Sequence, residues 1–153
     1  MSNDDIIDTL NDLIETSKDG EYGFQTSAEY LKDASLKQRL TRRAEECRQA
    51  AAELQSLVVR FGGKAEDGGT AAGALHRGWV AVKGTLAGYT DKAILEETER
   101  GEDSAMDAYR KALDEALPPE VRLVVERQYE GVKRNHLEAR TLRDQARAAA
   151  NAS

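Results

Sequence analysis

The sequence predicts an all-helical fold, a four-helix bundle with one long crossover, and three observations carry that prediction. Four stretches repeat apolar or small residues at steps of three and four, the spacing that keeps one face of a helix turned inward. Two junctions between them are short and sharply punctuated, at Asp33 and at Leu117-Pro118-Pro119. The remaining junction, from Gly62 to Tyr89, is several times longer than the roughly two to eight residues that join neighbouring helices in a simple bundle.

The first helix opens at Ser2 or Asn3, both good N-caps, with Asp4 and Asp5 at the positive end of the helix dipole. Its stripe runs Ile6, Leu10, Leu13, Ser17, Gly20, Phe24, Ala28 and Leu31, widened by Ile7, Ile14 and Glu21. Asp33 or Ser35 caps the second helix, whose stripe is Leu36, Leu40, Ala44, Cys47, Ala51, Leu54, Val58 and Phe61. Gly62-Gly63 stops it, glycine being the residue that most easily takes the left-handed turn past a helix end. Thr90 or Asp91 caps the third long helix, with Leu95, Thr98, Glu102, Ala105, Tyr109, Ala112 and Ala116 inward. The two prolines break the chain and start the fourth helix, since proline suits a first turn. Its stripe is Val121, Val125, Gln128, Val132, Asn135, Ala139, Leu142 and Ala146, with Val124 and His136 beside it. Residues 149–153 are expected to fray.

The crossover, residues 62–89, is expected to hold a short helix capped by Thr70, with Leu75, Trp79, Val82 and Leu86 on its apolar side. Such a segment can carry the chain back along the bundle. The second and third helices then run parallel, the arrangement of ferritin-like bundles. Residues 1–153 read as a single domain of this kind.

Composition excludes several function classes. Twenty-eight acids against 22 bases leave a net charge of -6, the wrong sign for binding nucleic acid through bulk charge. Apolar runs are only a few residues long, far short of the roughly 20 that span a bilayer. The acidic N-terminus lacks the basic and apolar regions of a signal peptide, so none is expected, and the lone Cys47 forbids an intrachain disulfide. These features fit a cytoplasmic protein.

Polar residues interrupt the stripes at mid-height. Counting outward from each turn places Gln128 and His136 around the level of Glu102, and Glu21 level with Glu45 and Glu46. Gly20, Gly23, Gly101 and Gly131 fall at similar heights, although each costs roughly 1 kcal/mol relative to alanine inside a helix. They imply close helix approach, local distortion, or space kept for something. One reading is a metal site, because bundles can hold metal ions between carboxylates and Glu-x-x-His pairs on facing helices. Its candidate ligands are Glu21, Glu46, Glu99, Glu102 and His136, with Tyr22, Gln128 and Tyr129 nearby, and the metal would be iron or manganese. Both Glu-x-x-His pairs are missing, however: the second helix has Glu46-x-x-Gln49 and the fourth Lys133-x-x-His136. The favoured reading is therefore structural, with Glu102 a buried acid paired with Arg43 or hydrogen-bonded to Gln128 and His136. Cys47 reads as a small core residue, and Arg140, Arg143 and Arg147 read as a solvated face.

The motifs Leu10-Asn11-Asp12-Leu13-Ile14, Asp19-Gly20 and Gly23-Phe24 are followed by Gly73-Ala74-Leu75-His76-Arg77-Gly78-Trp79. Glu99-Arg100-Gly101-Glu102-Asp103, Gln128-Tyr129 and His136 complete the set. In this order they resemble a bacterial domain-of-unknown-function family described as ferritin-like four-helix bundles, over the chain as far as Arg147. The resemblance implies the fold and a bacterial cytoplasmic setting, but no established activity. Ferritin-like proteins in the broad sense store or oxidise iron, and bacterial bundles of this kind accompany stress responses. Fold alone does not carry function. The expected function is that of a non-enzymatic, stress-associated bundle acting through self-association as a homodimer or through an unknown protein partner. The alternative is metal binding, with iron oxidation, through Glu21, Glu46, Glu102 and His136. Membrane-surface association through the Trp79 helix ranks last, because that segment is short and weakly basic.

Overall fold

The computed structural model describes residues 1–66 and 90–152. Four helices make up the described chain: α1 Asn3–Tyr30, α2 Ala34–Arg60, α3 Asp91–Leu113 and α4 Pro119–Ala152. They form a four-helix bundle, and no strand occurs among the described residues. The expected crossover helix, with His76 and Trp79, lies outside the described residues.

Each helix starts where its chemistry allows. The Ser2 hydroxyl accepts from the Asp5 amide while the Asp5 carboxylate accepts from the Ser2 amide, a reciprocal capping box. Asp33 caps α2 through the Leu36 amide, and Thr90 caps α3 through the Ala93 amide. At the end of α2, Gly62 takes φ +81 and the Gly63 amide reaches back to the Val58 carbonyl. Gly63 also lies against Ile7, where any β-carbon would come within 2.7 Å of the isoleucine Cδ1.

Contacts at the two ends fix the direction of every helix. Asp91, at the start of α3, accepts from the Lys32 and Asp33 amides of the α1–α2 turn at 2.9 and 3.1 Å. At the other end, Arg60 of α2 reaches Glu120 of α4 at 2.7 Å. So α2 and α3 start at one end and finish at the other. They are parallel, as the long crossover required, while α1–α2 and α3–α4 are antiparallel pairs.

The main core joins the first half of α1, the second halves of α2 and α3, and the first half of α4, around Leu10, Ile14, Leu54, Val58, Val121 and Val125. A smaller cluster of Ala28, Leu31, Leu40 and Ile94 closes the opposite end. The expected stripes face inward: most of their residues are buried, and Leu36, Phe61, Ala105, Gln128, Asn135 and Leu142 are among those half-buried. Ala116 is exposed because α3 stops at Leu113, before the prolines. Ile94 and Met106 of α3, outside the expected stripe, are also buried. The last helix, α4, continues past Ala148 to Ala152. No helix among the described residues is long and apolar enough to cross a membrane.

Candidate functional site

The two layers of core are separated by a polar mid-section. Along α1–α2 and α3–α4 the helices pack closely, whereas of the four neighbouring pairs α2 and α4 approach each other least. Long polar side chains span that last gap. Arg127 pairs with Glu53, Gln128 donates to the Glu53 carboxylate at 2.7 Å, and Asn135 donates to Glu46 at 3.1 Å. Small residues Gly20, Ala50, Gly101, Ala105 and Gly131 occur at the same height, and together these features leave a cavity of about 640 Å³ lined from all four helices. That size lies within the roughly 300–1,000 Å³ of small-molecule sites.

The glycines serve two purposes there. At Gly20 a β-carbon would fall 2.7 Å from the Cys47 sulfur, so this glycine permits α1 and α2 to meet. At Gly131 a β-carbon would meet only the Arg134 guanidinium, at 3.7 Å, so this glycine leaves room.

Beside the cavity, Glu102 is 1% exposed and accepts from Arg43 twice, at 2.6 and 3.2 Å. Arg43 also stacks over the Phe24 ring at 5.2 Å and donates to the Cys47 sulfur at 3.3 Å. Burial pushes the Glu102 carboxyl above the ordinary range, and the Arg43 charge opposes that shift. The pair is a two-point charge-assisted contact of the strong kind. Of the two structural readings for Glu102, the arginine partner is the one present. Gln128 instead accepts from the Tyr109 hydroxyl at 2.6 Å, and His136 contacts Asp103.

Burial pushes the Cys47 thiol and the Tyr109 phenol each up to about 12. Both are therefore neutral near pH 7, and Cys47 is a core residue rather than a poised nucleophile. Asp19 differs. It lies half-buried on the cavity wall, its Oδ1 is buried without a hydrogen-bond partner, and burial together with the nearby Glu15 charge raises its pKa to about 7.

The five candidate metal ligands are divided among several places. Glu99 and His136 come together with Asp103, which the sequence reading had not nominated, and their donor atoms lie within 4.8 Å of one another between α3 and α4. Glu99 is also bound by Arg143, whose side chain is only 16% exposed. Arg143 is thus not part of a solvated face as expected, because an acid one helix away draws it in. Glu102 carries the Arg43 charge, Glu46 is held by Asn135, and Glu21 sits 3.7 Å from Lys18. The guanidinium of Arg43 occupies the place beside Glu102 where a mid-core metal would put its charge, so these residues do not fit a ferritin-type two-metal centre.

Asp19 and Asp103 each stood in a motif noted in the sequence, but their roles were hidden there. Spacing along one helix does not reveal which exposed-side acid meets a neighbouring helix.

A search of curated proteins finds no significant match. The family model described as "Domain of unknown function (DUF2383)" matches residues 5–115, which takes in α1, α2 and α3 and stops short of α4. With that match over most of its length, the chain belongs to the DUF2383 family, a domain of unknown function.

Proposed function

We propose that this chain is a non-enzymatic, stress-associated bundle of ferritin-like architecture that works by binding, with a small organic molecule held in the mid-height cavity. The observation that carries this reading is the cavity itself. It sits in the middle of a bundle whose two ends are tightly packed, and Gly131 leaves room in its wall at a cost of roughly 1 kcal/mol in helix stability. Its lining sets Phe24, Ala50, Ala105 and Val132 among polar and charged side chains, which can fix the orientation of a ligand. The neutral state of Cys47 and Tyr109 near pH 7 favours binding over nucleophilic chemistry by either group.

The test is a fragment screen by protein-detected NMR on the full chain and on Gly131→Leu, which adds a side chain to the cavity wall. Fragments that shift resonances of Gly20, Ala105 and Gln128 in the parent and lose that effect in the variant support the reading. Hits that ignore the substitution, or no hits, reject it. A homodimer is a further part of the proposal, and a monomer at high concentration by light scattering removes it.

A second reading has its own observation. Glu99, Asp103 and His136 offer three donors to iron or manganese on the α3–α4 face. An anaerobic ferrous titration that saturates near one equivalent, and is abolished in His136→Ala, favours it. Unchanged uptake in that variant excludes it.

A further inference from the structure

The charges around the cavity single out one class of ligand, an inference that rests on the cavity being a binding site. Three arginines line the cavity, and each already has an acidic partner. Arg43 holds Glu102, Arg100 holds Glu97 at 3.0 Å, and Arg127 holds Glu53. Two lining acids have no such partner among the ion pairs of the described residues. Glu46 receives only the Asn135 amide, and Asp19 has one carboxylate oxygen with no hydrogen bond at all. Every cation on the wall is therefore satisfied, and the charge left over is negative.

An anion entering this space would meet no free positive group among the described residues, and it would have to displace one of the ion pairs. A neutral apolar molecule would fill the walls of Phe24, Ala105 and Val132 but leave the Asp19 and Glu46 charges uncompensated. A half-buried carboxylate without a counter-charge is disfavoured, and a charged donor on its accessible oxygen returns more than a neutral hydrogen bond does.

We propose that the cavity takes an amphipathic organic cation, an amine carried on an apolar body, with its ammonium on Asp19 and its body against Phe24, Ala105 and Val132. Glu46 adds a second negative charge on the α2 wall. A volume of about 640 Å³ accommodates a bicyclic aromatic amine with space to spare.

The probes are tryptamine, its neutral analogue tryptophol and its anionic analogue indole-3-acetate, titrated calorimetrically into the full chain at pH 8, where Asp19 is ionised. Tryptamine is expected to saturate at one per chain and to bind at least about tenfold tighter than tryptophol, the margin of one charge-assisted hydrogen bond. Asp19→Asn should bring the two to parity, and Gly131→Leu or Ala105→Leu should remove both with helix content unchanged by circular dichroism. Tryptophol or indole-3-acetate binding as tightly as tryptamine, yet lost on filling the cavity, overturns the cation assignment and leaves the cavity reading standing. Saturable binding of none of the three, or binding indifferent to both filling substitutions, overturns the two together.

Discussion

At the scale of single residues, the mid-section is governed by two side chains with opposite problems. Gly20 has no side chain because Cys47 fills the space, and Gly20→Ala would put a β-carbon 2.7 Å from its sulfur. Overpacking of this kind costs about 1–3 kcal/mol, against a gain of about 1 kcal/mol in helix propensity. Urea denaturation should show net destabilisation by Gly20→Ala in the parent and stabilisation in a Cys47→Ala background. Equal effects in both backgrounds would mean the contact is not what excludes a side chain. Asp19 has the reverse difficulty, a carboxyl in a place that disfavours its charge. Its pKa is near 7 in the fold and near 3.8 when unfolded. Below about pH 4 both states hold the proton and there is no effect. Between pH 4 and 7 the unfolded chain releases it first, so stability falls as pH rises, and the full penalty remains above 7. Asp19→Asn should therefore match the parent at pH 4 and exceed it increasingly up to pH 7–8, in thermal melts across that range.

At the scale of elements, the caps were legible because each acts within one turn. Ser2, Asp33 and Thr90 all cap as expected from their position before an apolar repeat. Asp91 was not legible in that way. Sequence offered it as an alternative cap for α3, but its carboxylate instead accepts two amides from the α1–α2 turn, 59 and 58 residues away. That bond joins one hairpin to the other at the end where the long connection delivers α3. Asp91→Ala should cost about 1–3 kcal/mol, the range for hydrogen bonds to a charged acceptor. Hydrogen exchange should lose protection at Lys32 and Asp33 first. Loss confined to α3 would show that Asp91 acts only on its own helix.

At the scale of the whole molecule, Arg43 and Glu102 tie the parallel helices α2 and α3 across the middle of the bundle. Glu102→Ala leaves the Arg43 charge buried without a partner and should cost about 3–5 kcal/mol in urea denaturation. Replacing both, Arg43→Met with Glu102→Leu, should recover most of that loss, because apolar substitutes for a buried pair are often neutral or stabilising. If the double variant is as unstable as the single one, the pair contributes to stability outright. The two ends of the bundle are apolar clusters and the middle is a polar layer beside a cavity.

The sequence by itself determined the four helices, their caps, their inward faces and, through the length of the crossover, the parallel course of α2 and α3. All of these depend on local chemistry, on a 3.6-residue period or on chain length, and each is readable along one strand of text. The glycine cluster also announced that something happens at mid-height. Only the tertiary structure decided what each glycine is for. Gly20 allows contact and Gly131 leaves space because of what stands opposite, and a facing helix has no sequence signature at the residue it faces. The same reason separates Glu102, neutralised by an arginine 59 residues away, from Asp19, which pairs with no cation among the described residues. Pairing between helices depends on rotation and height to within one side chain, and that precision arises only when all four helices pack together.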